Sequence, residues 1–172
     1  MNYQQSQYLI RLPKKIIERD QAVVHKHIVF KVPFVEHYEL LSEEDRDYSF
    51  LVEVYQSGKN LLKISLHCQE DSTNYGLLRV DYGQRHQNPT TINEHVPEAC
   101  HPYAGQWINT GHIHFAVEGY RSLAWAVPLE ADEFPIKEIT SVTEISEAFS
   151  SFFKRINVET TLAITVIDEA FL

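Results

Sequence analysis

Residues 48–56 (YSFLVEVYQ), 61–69 (LLKISLHCQ) and 75–82 (YGLLRVDY) decide the fold. Each run is rich in β-branched and aromatic residues and alternates apolar with polar positions, the period of two that a half-buried strand requires. Ser57-Gly58-Lys59-Asn60 and Glu70-Asp71-Ser72-Thr73-Asn74 between them are turn compositions, so the three runs read as an antiparallel meander. Alternation sorts its side chains into two faces. Ile64, Leu66 and Cys68 oppose Ser65, His67 and Gln69, and Leu78, Val80 and Tyr82 oppose Arg79 and Asp81.

N-terminal to the meander, residues 27–32 (HIVFKV) form a further strand that stops at Pro33. The first 25 residues, with Ile16, Ile17, Val23 and Val24, read as a short helix or an N-terminal arm. Residues 83–110 hold Pro89, Pro97 and Pro102 and read as a long irregular loop, a kind of segment that often carries function. Strands follow at 112–118 and 123–127, and a last one at 160–167. A helix is expected from about Val142 to Ile156. Ser141 and Glu144 have capping-box spacing, and Val142, Ile145, Phe149, Phe152, Phe153 and Ile156 share one stripe. The expectation is α+β: one domain over residues 1–172, an antiparallel sheet of about six or seven strands, and a C-terminal amphipathic helix on its apolar face.

Composition narrows the function. A chain of 172 residues with 44% hydrophobic residues is long and apolar enough for a core without staples. Fifteen Lys and Arg against 24 Asp and Glu leave a net charge of -9, which opposes binding to polyanions except at a local basic patch. With Cys68 and Cys100 the only cysteines and no CxxC pair, a disulfide scaffold and a thiolate zinc finger are disfavoured. Cys100-His101 reads as a buried thiol beside an unrelated histidine. No apolar run approaches ~20 residues and the N-terminus lacks a signal-peptide pattern, so a cytoplasmic protein without membrane contact is expected.

Chemistry concentrates in His112-Ile113-His114. Ile113, Phe115 and Val117 belong to the apolar face, and His112, His114 and Glu118 to the other, where Ala124 and Ala126 leave room beside them. His86, His95 and His101 lie in the long loop nearby. Two imidazoles and a carboxylate suit a borderline divalent metal such as zinc, with His112, His114 and Glu118 as ligands. The same groups suit metal-free acid–base work, because imidazole exchanges protons near neutrality. Histidines on the solvated face of a sheet are the third reading, and His25, His27 and His37 are assigned to it. A cupin is rejected, because the glycine near His112 is one residue out of step and no second motif follows.

Leu77-Leu78-Arg79-Val80-Asp81, His86-Gln87-Asn88-Pro89, His112-Ile113-His114, Glu118-Gly119 and Trp125-Ala126-Val127-Pro128 together resemble an uncharacterised family of small bacterial and prophage-borne domains, with an LRxD, HxNP, HxH, EG and WAxP pattern. The likeness covers residues 77–129. This chain differs by the long segment after Pro89 and by Phe115-Ala116-Val117 where the pattern carries a Tyr-Arg pair. The pattern is also similar to small toxins of toxin–antitoxin modules, which implies ribonuclease-like chemistry.

Two functions are expected from these readings. One is a small hydrolase or phosphodiesterase of mobile-element or phage–host conflict, acting on nucleic acid or a nucleotide. There His86, His112 and His114 are acid–base groups or metal ligands, Glu118 and Asp81 orient or ligate, and Arg79 or Arg85 neutralises a phosphate. The other is a non-catalytic acidic protein, an inhibitor of a host defence or an antitoxin-like regulator. Glu43, Glu44, Asp45 and Asp47, or Glu130, Asp132 and Glu133, would then dock on a basic protein partner.

Overall fold

In the computed structural model, which describes residues 1–167, the chain runs α1 (Tyr3–Arg11), β1 (Lys15–Glu18), β2 (Gln21–Ala22), β3 (His25–Lys31), β4 (Val35–Leu41), β5 (Ser49–Gln56), β6 (Ile64–Glu70), β7 (Tyr75–Tyr82), β8 (His86–Gln87), β9 (Trp107–Ile108), β10 (His112–Phe115), β11 (Trp125–Pro128), α2 (Val142–Arg155) and β12 (Thr161–Ile167). Two 3₁₀ turns, Glu98–Tyr103 and Leu129–Ala131, complete it. The fold is α+β. The meander is β5, β6 and β7, with Val52 opposite Cys68 and Leu66 opposite Val80. It sits at the centre of an eight-stranded antiparallel sheet of order β11-β10-β7-β6-β5-β4-β1-β2.

The strand count exceeds the expected six or seven, and the membership differs. β4 adds a strand whose sequence signal is thin, because it buries only Tyr38 and Leu40. β3 and β12 leave the main sheet and pair with each other in parallel, Ile28 beside Ile164. A parallel pair needs a long crossover, and here the crossover is everything from β4 to α2.

The first 25 residues are not an arm. Asn2 caps α1 by accepting from the Gln5 amide at 2.8 Å, Leu9 and Ile10 are buried, and the helix lies against β7. Just beyond it Lys14 is fully buried. Its ammonium donates to the carbonyls of Ile10 at 2.9 Å, Leu12 at 2.8 Å and Ile156 at 2.9 Å, and sits 4.6 Å above the Phe50 ring. These carbonyls belong to the ends of α1 and α2, where helices leave acceptors unsatisfied, so one side chain closes both ends.

α2 has the expected capping box between Ser141 and Glu144. Its buried stripe Ile145, Phe149, Phe152 and Phe153 meets the core. The Phe149 ring lies 4.5 Å from that of Phe30 of β3, tilted by 58°, and the Phe153 ring 5.7 Å from that of Tyr38 of β4. The helix also packs on β12. Among the described residues, no helix is long and apolar enough to cross a membrane.

At the β7–β10–β11 end, the face opposite this core is also covered. Residues 83–110 fold over it as the β8–β9 ribbon and a 3₁₀ turn that packs on β11. Asn88 fastens the cover. Its side-chain amide accepts from the Ala126 N–H at 2.8 Å and donates to the Ala126 carbonyl at 2.8 Å, acting as a short partner strand for the edge of β11. β10 stops at Phe115 rather than 118 and β11 starts at Trp125 rather than 123, and the chain between them turns through Gly119 (φ 86°) and Leu123 (φ 58°).

Candidate functional site

β7 and β10 are paired with His112 opposite Asp81 and His114 opposite Arg79. Alternation therefore places these four side chains on one face, as expected, and the cover buries three of them. His112, His114 and Asp81 are each at most 1% exposed. The face is a closed polar core rather than a solvated surface or a shallow pocket. Its way out is Arg79, whose side chain is 33% exposed, beside the half-buried His86.

Hydrogen bonds assign the tautomers. The Nδ1 of His112 lies 2.8 Å from the Thr110 carbonyl, and that of His114 2.9 Å from the Leu123 carbonyl. A carbonyl only accepts, so both Nδ1 atoms carry the proton and, in the neutral rings, both Nε2 atoms present lone pairs. His86 follows the same logic from its other nitrogen. Nε2 donates to the Ala124 carbonyl at 2.9 Å, leaving Nδ1 as the acceptor. Its ring lies 4.5 Å from that of His114 and 5.9 Å from that of His112.

The lone pairs converge on Asp81. Its Oδ2 is 3.0 Å from His114 Nε2 and 3.7 Å from His112 Nε2. Arg79 donates from Nε to Oδ2 at 2.8 Å and from Nη2 to His114 Nε2 at 3.0 Å, and the Ser65 hydroxyl donates to Oδ1 at 2.7 Å. His112 Nε2 is buried with no hydrogen-bond partner among the described residues.

Electrostatics agree with neutral imidazoles around an ionised acid. Burial pushes His114 down to about 4, with the Arg79 cation in the same direction and Asp81 against it. Burial likewise lowers His112, His86 and His67, the last sitting opposite Arg79 on β6. For Asp81 burial acts upward, but His114, Arg79 and Ser65 together hold its carboxyl well below the usual range. Asp81 is therefore held as a carboxylate, with its Oδ2 3.0 Å from His114 Nε2 and the Arg79 guanidinium donating to both atoms.

Of the expected site residues, Arg79, Asp81, His86, His112 and His114 come together. Glu118 does not. It is exposed in the turn after β10, where its backbone carbonyl accepts from Asn93, and the acid beside the histidines is Asp81. Arg85 lies over the Trp107 ring at 4.6 Å. His95 faces Glu94, and His101 bonds the Val96 carbonyl. Sequence reasoning misses Ser65 and Asn88 as parts of the site. Ser65 is legible, because it shares the polar face with Arg79 and Asp81. Cys68 and Cys100 are buried and unpaired with each other.

The chain belongs to a family of unknown function, DUF6978, which matches residues 1–158. The curated proteins and the solved structures contain no match to it.

Proposed function

We propose that this member of a family with no assigned activity is a small hydrolase of phosphodiesters, with nucleic acid or a nucleotide as substrate. The observation that supports it is the Arg79 guanidinium, partly exposed while bonded to the buried Asp81 and His114. It is a cation held at the surface of a histidine cluster, aimed by groups fixed in the core. Hydrolysis forms one P–O bond to water and breaks one to the leaving oxygen. His86, neutral with Nδ1 free of its carbonyl tether, takes the proton from water and passes it to the leaving oxygen. Arg79 offsets the charge on the phosphoryl oxygens. Asp81, His112 and His114 form the floor that positions both. The net charge of -9 disfavours a long polyanion, so a nucleotide or short oligonucleotide fits better than a duplex.

The acidic docking protein has less support. Glu43 pairs with Lys15, Asp45 accepts from Tyr8 and Asp132 pairs with Arg155, so these acids already serve contacts inside the chain.

The test is turnover of bis(p-nitrophenyl) phosphate, a 2′,3′-cyclic nucleotide and a dinucleotide by tag-free protein. His86→Ala and Arg79→Ala are expected to lose about 10²-fold or more, while His25→Ala on β3 is unchanged. Wild-type protein inert toward all three substrates, with and without added zinc, would overturn the hydrolase.

A further inference from the structure

We infer that Asp81, His112 and His114 bind one divalent transition-metal ion of the zinc class through Oδ2 and the two Nε2 atoms. The inference rests on the same cluster as the hydrolase reading but concerns its ligand rather than its reaction. Among the described residues no other group of His, Cys, Asp or Glu brings three ligand atoms so close, here all within 4.8 Å of one another.

Three observations carry it. The first is the orphaned lone pair. A buried imidazole nitrogen without a partner is costly, and His112 Nε2 is such an atom. The second is convergence: Asp81 Oδ2 lies 3.0 Å from His114 Nε2 and 3.7 Å from His112 Nε2, and a cationic group, the Arg79 guanidinium, already bridges Oδ2 and His114 Nε2. The third is orientation. Each ligating ring has its other nitrogen tied to a backbone carbonyl, Thr110 for His112 and Leu123 for His114, and the second oxygen of Asp81 is held by Ser65. Histidine ligands of metals are tethered in this way, which fixes tautomer and ring direction before the ion arrives.

Geometry sets the class. Bonds of roughly 2.0–2.1 Å in a tetrahedron separate ligand atoms by roughly 3.3 Å, and the distances from Oδ2 to the two nitrogens, 3.0 and 3.7 Å, bracket that value. Two imidazoles and one carboxylate favour zinc, cobalt, nickel or iron over magnesium and calcium, which prefer all-oxygen sets. Three protein ligands leave the fourth position open, as in reactive rather than structural zinc sites.

Arg79 must yield. His114 Nε2 has one lone pair, and Arg79 Nη2 now uses it, so the ion displaces that bond while Nε keeps its bond to Asp81 Oδ2, and the freed end of the guanidinium meets an anionic substrate. Metal loading and substrate binding are thereby coupled through one side chain.

The experiment is zinc titration of tag-free protein by calorimetry, with cobalt(II) absorption as the geometric readout and His Nε2 nitrogen shifts by NMR. One zinc per chain is expected, with tetrahedral cobalt bands and shifts at His112 and His114. Binding should be lost in His112→Ala and in the near-isosteric Asp81→Asn, and kept in Glu118→Gln and His25→Ala. Arg79→Ala should bind about tenfold tighter, having no bond to His114 Nε2 to give up and no cation beside the ion. If a variant fails to fold, the nitrogen shifts of the wild type decide alone. No binding by the wild type, or binding with unmoved His112 and His114 resonances, would overturn the site. Turnover by a protein that binds no metal would overturn this inference while keeping the hydrolase, and zinc binding by a protein inert to phosphodiesters would do the reverse.

Discussion

His112 and Asp81 face each other across the β7–β10 ladder, and the 3.7 Å between Nε2 and Oδ2 carries no hydrogen bond although both residues are buried. The closeness is a product of register. β10 meets β7 so that the histidine falls opposite the acid, and the Thr110 carbonyl then turns the free nitrogen inward. A shift of one residue would place His112 opposite Val80 or Tyr82 and send it to the apolar face.

Acid should weaken the metal-free chain in a window that its histidines define. Folding lowers His67, His86, His112 and His114, the last to about 4. Below about 6.5 the unfolded chain therefore takes up protons that the folded one refuses. Unfolding free energy falls as pH drops from about 6.5 toward 4, and urea melts at intervals across that range should show it. His114→Gln is expected to flatten the slope. An equal slope in that variant would mean that His114 is already protonated in the native state.

Lys14 predicts an effect in the opposite pH range. Burial lowers its ammonium from 10.5 to about 8, so between those values the unfolded chain holds the extra proton and stability on this residue's account rises with pH. The difference between wild type and Lys14→Met should show that rise. At pH 7 the variant is expected to lose about 2–4 kcal/mol, because three carbonyls at the ends of α1 and α2 lose their donor. A variant as stable as the wild type would show that the cost of burying the charge equals the bonds it makes.

Asn88→Ala should open the cover. It removes both bonds to the Ala126 backbone and a third from Nδ2 to the Tyr103 carbonyl at 3.2 Å. The expected cost is about 2–4 kcal/mol, with faster amide exchange at Ala126 and along β8 and β9, while β5 and β6 stay protected. Uniform loss of protection would show instead that the cover and the sheet unfold as one unit.

Backbone alternation is a local property, so the division of faces is legible in the chain itself. Arg79 and Asp81 have to share a side of β7, His112 and His114 a side of β10, and Ser141 with Glu144 has to start α2. Alternation does not say which strand lies next or what lies on top. The acid that meets the histidines is Asp81 rather than Glu118 because pairing joins positions about thirty residues apart, whereas the four-residue spacing from His114 to Glu118 is cut by the turn at Gly119. β4 escapes the pattern because two buried side chains are too few to make one. Polarity alone predicts a wet face around the histidines, and that face is dry because residues 83–110 find their partners in Ala124 and Ala126 rather than in water. Local sequence determined the faces. Long-range hydrogen bonding, which no periodicity encodes, decided which groups share the buried site.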